Sequence, residues 1–150
     1  MNKIFIVILI LSISSCCFAW QENKEVYFED LDGDFIQEVV LVSRSSGGTG
    51  VYHEETRIFK DEDPELRLIF QAETVYEYNL MGNHTREESE ITFTKTNPET
   101  KARDIIVKSK KIEYEKEFKP VSNTIDLGEK RFAWNGTKYE EASLKERVER

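Results

Sequence analysis

The chain is poor in the residues that most often carry thiolate or nucleophilic chemistry. It contains two cysteines, Cys16 and Cys17, and two histidines, His53 and His84, among 150 residues. Both cysteines lie near the N-terminus, so the rest of the chain can form no disulfide, cysteine nucleophile or thiolate zinc site. Neither histidine belongs to the His-Glu-x-x-His motif of zinc proteases. Because no catalytic constellation is present, we predict that the protein is not an enzyme.

Long hydrophobic runs are also scarce, and the one that exists lies at the start. Met1, Asn2 and Lys3 precede an uninterrupted apolar run from Ile4 to Leu11. A helix that crosses a bilayer needs about 20 such residues, so this run is too short to span one. A positive start, a short apolar run and small residues after it are typical of a signal peptide. We predict a signal helix over residues 1–19.

Two processing sites are compatible with this segment. Cleavage after Ala19 follows a small-x-small pattern and leaves Trp20 as the first residue. The alternative is Ile13-Ser14-Ser15-Cys16, which resembles a bacterial lipobox and would place a lipid on Cys16. We therefore expect an exported protein that is periplasmic, secreted, or anchored to a membrane through Cys16, with no transmembrane span in its mature form.

Basic residues are outnumbered in the remainder of the chain. Residues 20–150 hold 20 Lys and Arg against 29 Asp and Glu, a net charge of −9. This excess argues against nucleic acid and anionic membrane surfaces as partners. It favours cations or a basic protein.

The pattern of residues 20–150 is that of β-strands, with no sustained helical period. The segment Ile112–Phe118 alternates between glutamate and mostly apolar residues. Asn135-Gly136 lies between two apolar-bearing runs, which is a strong signal for a tight hairpin. We predict an all-β, mainly antiparallel single domain, a small sandwich or barrel-like fold, with a charged C-terminal tail. The predicted loops are Ser43–Gly50, Met81–Glu88, Asn97–Ala102 and Lys119–Gly128.

The most informative segment is the acidic run from Asp30 to Glu38, which leads into the apolar strand Val39–Val42. Calcium prefers six to eight oxygen ligands in flexible geometry, and alternate residues of a tight loop can converge on one ion. Gly33 would permit the sharp turn. An acidic turn without an ion is the alternative, since Asp and Gly both favour turns. The predicted calcium ligands are the side chains of Asp30, Asp32, Asp34 and Glu38 and the carbonyl of Ile36.

This segment resembles the calcium hairpin of FG-GAP and VCBS-type repeats, the loop also found in integrin α-chain propellers. The family pattern is Asp-x-Asp/Asn-Gly-Asp-Gly-x-x-Asp/Glu, followed directly by a strand. The resemblance covers about 17 residues, Val26–Val42, and Phe35 stands where the family usually has glycine. It implies a bound Ca²⁺ but no propeller, because a propeller needs several four-stranded blades.

A second loop, rich in serine and glycine, could insert into a cleft of a partner, although loops of this composition are more often plain hairpin turns. Its candidate contact residues are Ser46, Gly47, Thr49 and Tyr52. We predict an exported, calcium-binding, non-enzymatic binding or structural module of the bacterial cell envelope, whose partner is an envelope protein or glycan. The alternative is a periplasmic inhibitor of a basic hydrolase such as lysozyme.

Overall fold

The computed structural model describes residues 23–47, 50–80, 83–114 and 121–142, and these residues form β-strands and no helix. The prediction of an all-β, mainly antiparallel protein is confirmed. No helix in these ranges is long and apolar enough to cross a membrane. The strands are β1 (Asn23–Glu29), β2 (Glu38–Gly47), β3 (Val51–Glu62), β4 (Glu65–Leu80), β5 (Asn83–Phe93), β6 (Ile105–Tyr114), β7 (Val121–Trp134) and β8 (Tyr139–Glu141).

All eight described strands belong to one sheet in which each strand pairs antiparallel with its neighbours in the sequence. The β-branched run at the start of β2 is buried on both faces, as its composition predicts: Val39, Val40 and Leu41 are 6%, 0% and 5% exposed. The Asn135-Gly136 hairpin between β7 and β8 is also confirmed, with Gly136 at φ 94°.

Three of the four predicted loops were largely wrong. Most of Met81–Glu88 lies in β5, most of Lys119–Gly128 lies in β7, and Ser43–Gly47 belongs to β2. In β7, residues 123–131 are exposed throughout, so this part of the strand has no buried face. The loop Asn97–Ala102 does lie between strands, as predicted.

Strands β4 and β5 are paired over only part of their length, and the hydrophobic core lies where they separate. The two strands pair only from Val75 to Leu80, so the first part of β4 pairs with β3 alone and the last part of β5 pairs with β6 alone. Apolar side chains from both sides of this separation meet in one cluster. Its buried members are Leu31, Val40, Ile58, Ile69, Phe70, Ile105, Val107 and Tyr139.

The loop that follows β1 contacts the last strand of the sheet. The Tyr139 hydroxyl on β8 donates a hydrogen bond of 3.0 Å to the carbonyl of Leu31, directly after β1. In a flat sheet of eight strands the first and last strands would be about 34 Å apart, at roughly 4.8 Å per strand. The sheet is therefore strongly curled, and its curl brings the acidic loop next to β8.

Candidate metal centre

The acidic loop runs from Asp30 to Glu38, the first residue of β2, and its carboxylates accept hydrogen bonds from its own backbone. Asp30 accepts hydrogen bonds from the amides of Gly33, at 2.8 Å, and Phe35, at 3.1 Å. Asp34 accepts one from the amide of Ile36, at 2.8 Å. These turn-forming contacts explain why aspartates at this spacing fold into a tight loop.

The loop makes a left-handed turn at Phe35, where the FG-GAP and VCBS pattern has a glycine. Phe35 has φ 68° and its side chain is 88% exposed. This left-handed conformation costs a non-glycine residue about 1–2 kcal/mol. The departure from the FG-GAP and VCBS pattern therefore leaves the left-handed turn intact and adds local strain.

Gly33, at φ 79°, is required for a different reason. A Cβ atom at this position would overlap the backbone carbonyl of Lys101. The acidic loop thus packs directly against the loop between β5 and β6. A second contact fixes the same pair of loops, because the amide of Arg103 donates a 2.8 Å hydrogen bond to the carbonyl of Leu31.

Glu38 is the buried end of the acidic loop. Its side chain is 0% exposed, and one carboxylate oxygen, Oε2, accepts a 2.7 Å hydrogen bond from the amide of Leu31. The other oxygen, Oε1, has no hydrogen-bond partner. Burial raises the pKa of Glu38, and the neighbouring charges of Asp32 and Asp34 raise it further. A buried carboxylate oxygen without a partner is costly and calls for a nearby cation or donor.

Three of the predicted ligands come together. Asp30, Asp32 and Glu38 each offer a carboxylate oxygen, and these oxygens lie within 4.8 Å of one another. Asp34 is outside this group and is more exposed. Ile36 lies in the same loop and is 44% exposed, and the part played by its carbonyl stays a prediction.

The ammonium group of Lys60, on β3, lies among these carboxylates. It donates hydrogen bonds to Asp32 and, at 2.7 Å, to Asp34, and its Nζ is 3.7 Å from Oε1 of Glu38. Desolvation lowers the pKa of Lys60, but the hydrogen bonds to Asp32 and Asp34 outweigh it and raise the pKa above its ordinary value. Lys60 therefore stays charged and supplies one positive charge to a group of four carboxyls.

Lys60 was missed by sequence reasoning. The register of β2 and β3 pairs Val39 with Phe59, so the next residues outward, Glu38 and Lys60, are neighbours across the two strands. A hairpin prediction that carried the pairing back from Gly47 and Val51 could have found this contact. The long Ser43–Gly50 loop that the sequence suggested concealed the register.

The residues of the second predicted site lie at the far end of the β2–β3 hairpin. Ser46 pairs with Tyr52 and Gly47 pairs with Val51. Ser46 and Tyr52 line a shallow cavity of about 340 Å³, together with Glu77 and Arg86. Thr49 lies outside the described residues, as do Cys16 and the predicted signal segment.

Comparison with known proteins adds no relative. No protein-family model, curated protein or solved structure matches this chain.

Proposed function

We propose that the acidic loop binds Ca²⁺ through Asp30, Asp32 and Glu38. The observation that carries this proposal is Oε1 of Glu38, a fully buried oxygen with no hydrogen-bond partner. It belongs to a carboxylate that has an oxygen within 4.8 Å of an oxygen of Asp30 and of Asp32. Hard oxygen donors such as these carboxylates suit calcium better than zinc or copper. The carbonyl of Ile36 and the more exposed carboxylate of Asp34 are the further ligands proposed from the loop pattern.

The charge balance supports a divalent ion. Four carboxyl groups lie in the loop, and of the described residues only Lys60 forms a salt bridge with them. One ammonium does not neutralise four carboxylates, and the repulsion that remains favours a second cation. A site that is built by the loop's own hydrogen bonds also needs little rearrangement before it binds an ion.

The proposed role of this site is to stabilise an exported binding module of the bacterial cell envelope. The resemblance to the FG-GAP and VCBS calcium hairpin supports calcium, and the apolar N-terminal run supports export. The ring of Phe35 supports a contact role. Its backbone is strained, and because the ring is exposed, its burial in the described fold does not offset that strain. The contact between Tyr139 and Leu31 supports the barrel-like alternative for the fold.

Calorimetric titration with CaCl₂ tests the calcium site directly. The wild type should bind one ion with Kd on the order of 0.1–1 mM, the range of extracellular modules. Glu38→Gln keeps the shape and removes the charge, and it should weaken binding by at least about tenfold. The matched control is Glu55→Gln, a buried glutamate on β3 that pairs with Arg57. Equal binding by Glu38→Gln and wild type would rule out this ligand set.

Capture from envelope extract tests the binding role. Immobilised protein should retain its partner more strongly in 2 mM calcium than in chelator, at a concentration chosen above the expected Kd on the order of 0.1–1 mM. The variant Phe35→Ala keeps the loop's charges and should retain less. A glycan or a structural envelope protein in the eluate supports the proposed module. A basic cell-wall hydrolase that loses activity when bound would support the inhibitor alternative instead.

A further inference from the structure

We propose that Lys60 is the built-in competitor of calcium, which occupies the cation position of the acidic loop and must be displaced when the ion binds. This inference rests on the proposed calcium site and concerns what sets its affinity. It follows from the position of one atom, Nζ of Lys60, which contacts carboxylates that the ion would need.

Lys60 is held at the loop by charge and by geometry. Its Nζ donates hydrogen bonds to Asp32 and Asp34, and its side chain is only 14% exposed. Charge-assisted hydrogen bonds of this kind are roughly twice as strong as neutral ones. An incoming ion that takes the Asp32 carboxylate must break one of them, so the free energy of the Lys60 contacts is subtracted from the free energy of calcium binding.

The Lys60 ammonium cannot satisfy the whole site. Its Nζ approaches Oε1 of Glu38 to 3.7 Å, an ion-pair distance that leaves this oxygen without a hydrogen bond. A calcium ion can contact an oxygen of each of three or more carboxylates at 2.3–2.6 Å. Calcium therefore replaces the Lys60 ammonium at high calcium concentration, and the ammonium returns at low concentration. Competition from Lys60 lowers the calcium affinity of the site.

The Lys60 ammonium also lies beside an aromatic ring in its observed position. Its Nζ lies 5.6 Å from the centre of the Trp134 ring on β7, within the range of a cation–π contact. Displacement from the aspartates would move the charge relative to this ring. Trp134 fluorescence therefore reports the exchange directly, and it is isolated in a Trp20→Phe background, since the chain has two tryptophans.

The variant Lys60→Met keeps an unbranched apolar stem and removes the ammonium. We expect it to bind calcium about tenfold more tightly than the wild type, a change of about 1.4 kcal/mol. The control Lys108→Met removes the same charge from β6, where Lys108 is exposed and pairs with Glu129. It should bind calcium as the wild type does.

The outcomes separate this inference from the calcium proposal itself. If wild type binds calcium and Lys60→Met binds it no more tightly, the competition is refuted and the site stands. If only Lys60→Met binds, the competition is supported, and the wild-type calcium site is refuted because Lys60 fills it permanently. If neither binds, both proposals are refuted.

The Trp20→Phe protein, which keeps Lys60, provides a second measurement should Lys60→Met fail to fold. Calcium titration should change the Trp134 emission with the same midpoint as the calorimetric titration. An emission that stays constant while calcium binds would show that Lys60 keeps its place beside the ring, and would refute the exchange.

Discussion

Phe35 combines an exposed aromatic ring with a left-handed backbone, at φ 68° and 88% exposure. The conformation costs about 1–2 kcal/mol for a residue with a Cβ, while glycine adopts it at the lesser cost of about 0.5–1 kcal/mol in backbone entropy. We predict that Phe35→Gly raises the free energy of unfolding by about 0.5–1 kcal/mol, measured by urea denaturation.

The matched control for this prediction is Phe35→Ala, which removes the ring and keeps the strained backbone. Because the ring is exposed, the free energy of unfolding of Phe35→Ala should stay within about 0.5 kcal/mol of the wild-type value. A Phe35→Gly variant no more stable than Phe35→Ala would show that the backbone at this position carries no appreciable strain.

Tyr139 links the last strand to the acidic loop through its hydroxyl, which donates to the carbonyl of Leu31. Both residues are buried, and burial raises the pKa of Tyr139, so the hydroxyl stays protonated and remains a donor. We predict that Tyr139→Phe lowers the free energy of unfolding by about 0.5–1.5 kcal/mol, measured by thermal denaturation. Tyr27→Phe, at a residue that is 41% exposed, should leave it unchanged. Equal stabilities of the two variants would show that this link contributes nothing.

At the scale of elements, two turns need a glycine with positive φ but lie in different surroundings. Gly33 and Gly136 both have positive φ, at 79° and 94°. A Cβ at Gly136 meets nothing within 4 Å, whereas one at Gly33 overlaps the carbonyl of Lys101. We predict that Gly136→Ala costs about 1–2 kcal/mol from conformation alone and that Gly33→Ala costs more, because the two loops must also separate.

Chemical denaturation of the two alanine variants measures this difference. Gly33→Ala should also weaken calcium binding, since the turn it disturbs positions Asp32, whereas Gly136→Ala should not. Equal losses of stability would show that the acidic loop moves away from Lys101 freely and is not held by the neighbouring loop.

Sequence reasoning predicted the strands and turns that a local run of residues is enough to indicate. The run Val39–Val42 and the Asn135-Gly136 turn carry their structure in local composition, and both predictions are confirmed. The strand β7 was not predicted in full, because its apolar residues Ile125 and Leu127 are too few to mark a strand and the whole of Asn123–Lys130 is exposed. Strand formation there depends on hydrogen bonds with β6, which local sequence does not encode.

The candidate site divides in the same way. Asp30, Asp32 and Glu38 lie within nine residues, so their convergence follows from one loop and was predictable. Lys60 is 28 residues from Asp32 and reaches it only because β2 and β3 pair in one register. A contact that depends on register is invisible until the hairpin length is known.

At the scale of the whole molecule, export has its own test. The short apolar run and the small residues after it predict that the protein isolated from bacterial envelope has lost its N-terminus. Mass spectrometry should find a chain that begins at Trp20, or at a lipid-modified Cys16. An envelope protein that retains Met1 would contradict the signal peptide.

On the proposed function, the free energy of unfolding links the acidic loop to the whole fold, because calcium would bind the folded loop and not the unfolded chain. Binding would add RT ln(1 + [Ca]/Kd) to the free energy of unfolding, which is about 1.4 kcal/mol at a tenfold excess of calcium over Kd. For a domain of this size that corresponds to a rise in Tm of roughly 4–7 °C. The contacts of Leu31 with Arg103 and Tyr139 are the route by which the stabilised loop holds the curled sheet together.

The most direct test of the calcium site is therefore the Tm of the wild type, measured in chelator and in calcium at about 5 mM, a tenfold excess over a Kd on the order of 0.5 mM. Calcium should raise Tm by roughly 4–7 °C, and magnesium at the same concentration should raise it less, because it demands a tighter octahedron. Asp32→Ala should show no calcium response. A wild-type Tm that is the same with and without calcium would contradict the account and leave an acidic turn that pairs with Lys60.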